Sequence, residues 1–145
     1  MDKGDRINYA NLQSNQVIKI DHSMLVQNSI YEYPSGQILV AYCSEQEREI
    51  ILKRNGYPNE HWSNISSEAE LMKSIEQIRA KQYASKLTEG GEVAAYASPV
   101  FDEENRLLGS IGVYLPSFRL TPEKEQMIIE NLKLCYAINK EMFTL

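Results

Sequence analysis

The stretch that most constrains the fold is residues 92–116, EVAAYASPVFDEENRLLGSIGVYLP, two apolar runs separated by a short polar break. Asp102 and Asn105 within residues 101–106 are turn formers, so the runs read as two arms of a β-hairpin. Along the first arm Val93, Ala95, Ala97 and Pro99 alternate with Ala94, Tyr96, Ser98 and Val100. Both faces are therefore small or apolar, which suits a strand covered on both sides. The second arm repeats the pattern, with Gly109 and Gly112 spaced along it. Glycine weakens a strand unless a bulge or a close neighbour requires the missing side chain. Two of them predict that a helix or a ligand packs close to this sheet.

The remaining chain supplies helices to cover such a hairpin. Residues 1–6 read as a frayed start or boundary. Residues 7–12 and 16–21 read as a hairpin about Ser14-Asn15, and residues 29–33 as a third short strand or extended segment. Pro34 keeps Tyr33 out of helical geometry, and Ser35 is placed to cap an apolar helix running to Cys43. Ser44 with Glu47, and Ser67 with Glu70, have capping-box spacing and predict two further helices. The first stops at Asn55-Gly56; the second buries Leu71, Ile75 and Ile78 as one stripe. Between them lies a loop holding Trp62. Residues 83–87 read as a strand, and Thr121-Pro122-Glu123 opens a last helix whose broad apolar face predicts two packing partners. The sum is one α+β domain over residues 7–145: an antiparallel sheet of about five or six strands with helices packed on its faces.

Bulk properties narrow the function. A net charge of −5 argues against nucleic-acid binding by this chain alone, since that is dominated by phosphate neutralisation. No apolar run is long enough to span a membrane, and the polar start is no signal peptide. Cys43 and Cys135 lie in apolar runs and read as buried thiols in a reducing, cytoplasmic setting.

Enzyme signatures are thin, and no catalytic residue, metal ligand or cofactor is assigned. His22 and His61 have no partner at metal spacing, and no nucleophile elbow or phosphate loop is present. The better signal is for binding. Ser35, Gly36 and Gln37 open a buried helix whose first N–H groups and dipole attract anions, or alternatively are met by the Ser35 cap and water. If Ala94, Ala95, Gly109 and Gly112 line the sheet surface facing that end, they leave room either for a small molecule or for close helix packing.

Three segments then resemble one family. Residues 35–42, SGQILVAY, are similar to its small–Gly–x–x–Leu-Leu-Ala helix start. Residues 71–85, LMKSIEQIRAKQYAS, are similar to its helix ending in I-R-x-x-G-Y-A, with Gln82 in place of the glycine. Residues 97–102, ASPVFD, are similar to its A-A-P-V-F-D, and residues 109–116 to its closing strand. The chain resembles the effector-binding, GAF-like domain of IclR-type transcription regulators over nearly all of residues 7–143. That resemblance implies a non-enzymatic module that binds a small metabolite, commonly an organic or aromatic acid, and assembles to a dimer or tetramer. It implies DNA binding only through an N-terminal winged helix-turn-helix that this stretch does not contain, whether the chain is a truncation or a stand-alone sensor. The implied pocket falls at Pro34, Ser35, Gly36, Lys86, Ala95, Gly112 and Tyr114. Ala95, Gly112 and Tyr114 replace positions that are often small and polar in the family, so the ligand is expected to be larger, more apolar or different in charge. Two other readings stand beside this one: a ligand-free dimerisation module of the same fold, and a GAF-type thiol reductase using Cys43 or Cys135.

Overall fold

The computed structural model describes Arg6 and residues 29–141. In chain order the elements are α1 (Pro34–Tyr42), α2 (Glu45–Asn55), α3 (Glu68–Lys81), β1 (Ala84–Leu87), β2 (Val93–Phe101), β3 (Leu107–Pro116) and α4 (Pro122–Glu141). Among the described residues the sheet has three strands in the order β1-β2-β3, both pairings antiparallel. This is the α+β arrangement expected. The hairpin expected over residues 7–21 lies outside the described residues.

The central hairpin forms because its turn is chemically specified. The Asp102 carboxylate accepts from the Glu104 and Arg106 N–H groups at 2.9 and 2.8 Å and pairs with the Arg106 guanidinium at 2.7 Å. Asn105 supplies the left-handed residue, at φ 59°. The pleat then sorts the two faces. Ala95, Ala97 and Pro99 share one face with Tyr114, Gly112 and Ser110; Ala94, Tyr96 and Ser98 share the other with Leu115, Val113 and Ile111.

Helices cover both faces, as the two-sided apolar pattern requires. On the first, Ile38, Val40 and Ala41 of α1 join Ile51 of α2, Leu71, Ile75 and Ile78 of α3, and Ala84 and Ala97 in the main core. On the second, Ala94 and Tyr96 pack on Leu132 of α4. Ser98, fully buried, donates to the Leu132 carbonyl at 3.2 Å, and the Tyr96 hydroxyl donates to Glu125 at 2.8 Å. Both expected capping boxes form, at Ser44 with Glu47 and at Ser67 with Glu70.

Three expectations are corrected. Residues 29–33 are a turn, not a strand. The Ser29 hydroxyl accepts from Tyr31 N–H, the Glu32 N–H closes on the Ser29 carbonyl, and Ile30 and Tyr31 are buried beneath α1. Second, Ser35 does not cap α1. The proline at N1 starts the helix two residues earlier, and extended Tyr33 is the cap residue, with no side-chain cap bond. Third, the two strand glycines differ. A side chain on Gly109 would meet nothing nearby, and Gly109, like Ala94, lies on the face away from α1. Gly112 does face a close neighbour, but it is the Tyr114 ring of the same strand, 3.2 Å from where its Cβ would stand.

Candidate functional site

The register sets Lys86, Ala95 and Tyr114 side by side across the three strands, with Ala84, Ala97 and Gly112 as the next row. The start of α1 crosses this face at its β3 side. Ser110 Oγ donates to the Ser35 carbonyl at 2.9 Å, and the Ser35 and Tyr114 hydroxyls lie 3.0 Å apart. Ser35 Oγ also accepts from an Arg6 guanidinium nitrogen at 2.6 Å. Arg6 in turn lies over the Tyr33 ring, whose centroid is 6.1 Å from that of Tyr114 in an edge-to-face pair. Ser35, Tyr114, Tyr33 and Arg6 thus close the space between helix start and sheet.

The other end of the row is a charged cluster. Lys86 Nζ donates to the Glu32 carbonyl at 2.9 Å, to its carboxylate at 3.2 Å and to the His61 carbonyl at 3.2 Å. The second Glu32 carboxylate oxygen lies 2.7 Å from His61 Nδ1. Burial opposes the Glu32 charge, but hydrogen bonds from His61 and Lys86 and their charges outweigh it, holding the carboxyl below its ordinary value.

Of the residues singled out in the sequence, Ser35, Tyr114, Ala95, Lys86 and Gly112 lie on this face. Pro34 is buried at the helix start. Gly36 serves packing instead: a Cβ there would overlap the Ile30 carbonyl oxygen. The helix end offers an anion little. Pro34 has no N–H, and those of Gly36 and Gln37 close on the Tyr33 carbonyl at 3.0 Å. Arg6, Glu32 and His61 complete the site without any sequence signal, since they are brought in by turns and by a distant residue.

Cys43 is the wrong thiol for redox work. Burial pushes it up to about 11, against the pull of Arg48, and it donates weakly to the Val40 carbonyl. Among the described residues no group of three or more His, Cys, Asp or Glu side chains comes together to hold a metal, and no helix is long and apolar enough to cross a membrane.

The family model for the bacterial transcriptional regulator IclR C-terminal domain matches residues 2–137. The chain belongs to this family. Among relatives, the HTH-type transcriptional regulator KdgR of Escherichia coli is 25% identical over 107 residues, covering 73% of this chain and 41% of KdgR. The IclR domain described here therefore spans about two fifths of that relative's length. The crystal structure of the KdgR C-terminal domain superimposes with a TM-score of 0.62 at 23% identity, over 89% of this chain and 79% of that one. A transcriptional regulator structure from Rhodococcus gives 0.72 at 16% identity, over 99% and 60%. A double mutant of the inducer-binding domain of PobR from Acinetobacter, in complex with 3-hydroxybenzoic acid, gives 0.57 at 15% identity, over 79% and 65%. At these identities the structures establish the fold. The family is one of transcription regulators, in keeping with the non-catalytic reading of the sequence.

Proposed function

We propose that this IclR domain is the effector-sensing and self-associating part of a longer regulator whose DNA-binding part lies N-terminal to it. The effector would enter between the α1 start and the Lys86–Ala95–Tyr114 row by parting the Ser35–Tyr114 contact that closes this space. The observation that carries this reading is the register. It groups Lys86, Ala95, Gly112 and Tyr114 on one face, with Ser35 of α1 hydrogen-bonded across to Tyr114. The double-mutant PobR domain, which holds 3-hydroxybenzoic acid on a similar fold, supports an aromatic acid as the ligand class. Tyr114 occupies the space that small polar residues would leave open, so the effector meets a phenol, a serine hydroxyl and Arg6 rather than a bare cleft. Regulation follows if the ligand favours one arrangement of these groups. Moving such an equilibrium from 1:99 to 99:1 takes about 5.5 kcal/mol of differential affinity.

A thermal-shift screen of aliphatic and aromatic acids, 3-hydroxybenzoate included, tests the site. A ligand at a hundred times its Kd adds about 2.7 kcal/mol to wild-type stability, a shift of several degrees. Gly112→Leu, which drives a side chain into the Tyr114 ring, should abolish that shift. A ligand that stabilises both proteins equally binds elsewhere.

A second reading, a ligand-free self-associating module, is favoured by the exposed Met127 and Leu134 on α4, beside the half-buried Ile128 and Ile129. It predicts concentration-dependent sedimentation with no acid from the screen binding. A strictly monomeric chain removes it.

A further inference from the structure

The two ends of the α1–sheet site differ in what they can still offer a ligand. Between them the sheet face presents Ala84, Ala95, Ala97 and Gly112, none with a hydrogen-bonding side chain. Recognition of a polar group therefore falls to the ends.

At the β1 end Lys86 is saturated. An ammonium has three N–H donors. These go to the Glu32 carbonyl at 2.9 Å, the Glu32 carboxylate at 3.2 Å and the His61 carbonyl at 3.2 Å. The same carboxylate balances the charge of the ammonium. An acid brought to Lys86 would have to displace one of these bonds and would meet the like charge of Glu32. The lysine that the sequence offers as the partner of an acid is thus a tie between β1 and two turns.

At the β3 end the donors are adaptable. Ser35 Oγ lies 2.6 Å from an Arg6 guanidinium nitrogen and 3.0 Å from the Tyr114 hydroxyl. A guanidinium carries five N–H donors in a planar fork, more than the bond to Ser35 uses, and each hydroxyl has one proton that rotates. Parting the Ser35–Tyr114 contact leaves both hydroxyl protons to turn toward an incoming oxygen beside the Arg6 fork. None of the three groups is a carboxylate. Backbone does not compete for the role, because the Gly36 and Gln37 N–H groups close on the Tyr33 carbonyl. The Tyr33 ring, 5.7 Å from the guanidinium, holds the cation over this end.

We propose that the acid group of the effector is held at the β3 end by Arg6, Ser35 and Tyr114, with its apolar body over Ala95 toward β1. Lys86 is then a positioning residue and not the counter-ion. The inference rests on the site proposed above and adds the orientation of its ligand and the source of its charge selectivity.

The test compares acids with their amides, which keep the shape and lose the charge. 3-Hydroxybenzoate with 3-hydroxybenzamide, and hexanoate with hexanamide, are titrated by calorimetry into the full chain and its variants. Wild type should bind at least one acid about tenfold or more tighter than its amide. Arg6→Gln should bring that ratio close to one by weakening the acid, with the amide unchanged within about twofold. Arg6→Lys, which keeps the charge, should retain most of the ratio. Lys86→Met should weaken acid and amide by the same factor, as loss of a positioning contact does. A ratio that survives Arg6→Gln overturns the proposal whatever Lys86→Met does, and leaves the site standing if Gly112→Leu still abolishes binding. A ratio lost in Lys86→Met, or equal binding of acid and amide by wild type, overturns it in the same way. No binding of any of the four probes overturns both the proposal and the site it rests on.

Discussion

Gly36 shows how one missing atom ties two segments together. The Ile30 carbonyl oxygen occupies the space of its absent Cβ, and the Ile30 carbonyl carbon would stand only 2.8 Å from such an atom. Backbone is a poor thing to displace, so Gly36→Ala is expected to lose about 3 kcal/mol. Gly109→Ala, with open space around it, should be close to neutral. Chemical denaturation of both variants checks the pair, and equal stabilities would refute the packing role of Gly36. The sequence marks Gly36 as part of a helix start. It is silent on what the glycine accommodates, because the neighbour comes from a turn read as a strand.

At the scale of elements, boundaries written in local chemistry are the readable ones. Both serine–glutamate boxes cap the helices they were expected to cap, and Thr121 accepts from the Lys124 N–H at 3.2 Å at the start of α4. The end of α3 is less well served. Gln82 adopts φ 67°, a left-handed conformation that an L side chain disfavours by roughly 1–2 kcal/mol and that glycine adopts freely. Glycine gives some of that back through its freer unfolded chain, so Gln82→Gly should stabilise the domain by about 0.5–1 kcal/mol. A lower melting temperature for that variant would show that the glutamine side chain contributes more than its backbone strain. At the other end of the core, Arg48 and Arg79 donate to the Val40, Cys43 and Ala41 carbonyls at the α1 C-terminus. They sit at the negative end of the helix dipole, and no local motif announces them.

At the scale of the whole molecule, Lys86, Glu32 and His61 join the first strand to two turns that precede it. The folded Glu32 carboxyl titrates below its ordinary 4.5, so the folded state keeps it ionised where the unfolded chain takes up a proton. Its contribution is therefore fully present above the unfolded value and is lost as pH falls through the folded one. Urea midpoints should decline over that acidic window, and Glu32→Gln should flatten this part of the decline while lowering stability near neutrality. An unchanged pH profile in the variant would assign the decline to other carboxylates. The cluster also accounts for Lys86, whose side chain is only 26% exposed on a largely apolar sheet surface because two carbonyls and a carboxylate hold its ammonium.

Local sequence patterns suffice for the class of fold, the central hairpin, the capped helices and the buried stripe of α3. Each is encoded within a few residues by pleat alternation, helical spacing or a side chain bonding its own backbone. The three segments resembling the family were legible for the same reason, being short local patterns that follow the family's order along one chain. Tertiary structure alone decided which glycine is crowded, that Tyr114 reaches Ser35, and that Glu32, His61 and Arg6 belong to the same face as Lys86. Those facts depend on strand register and on how turns fold back under α1. Contacts between residues far apart in the chain are fixed only when the sheet brings its rows together.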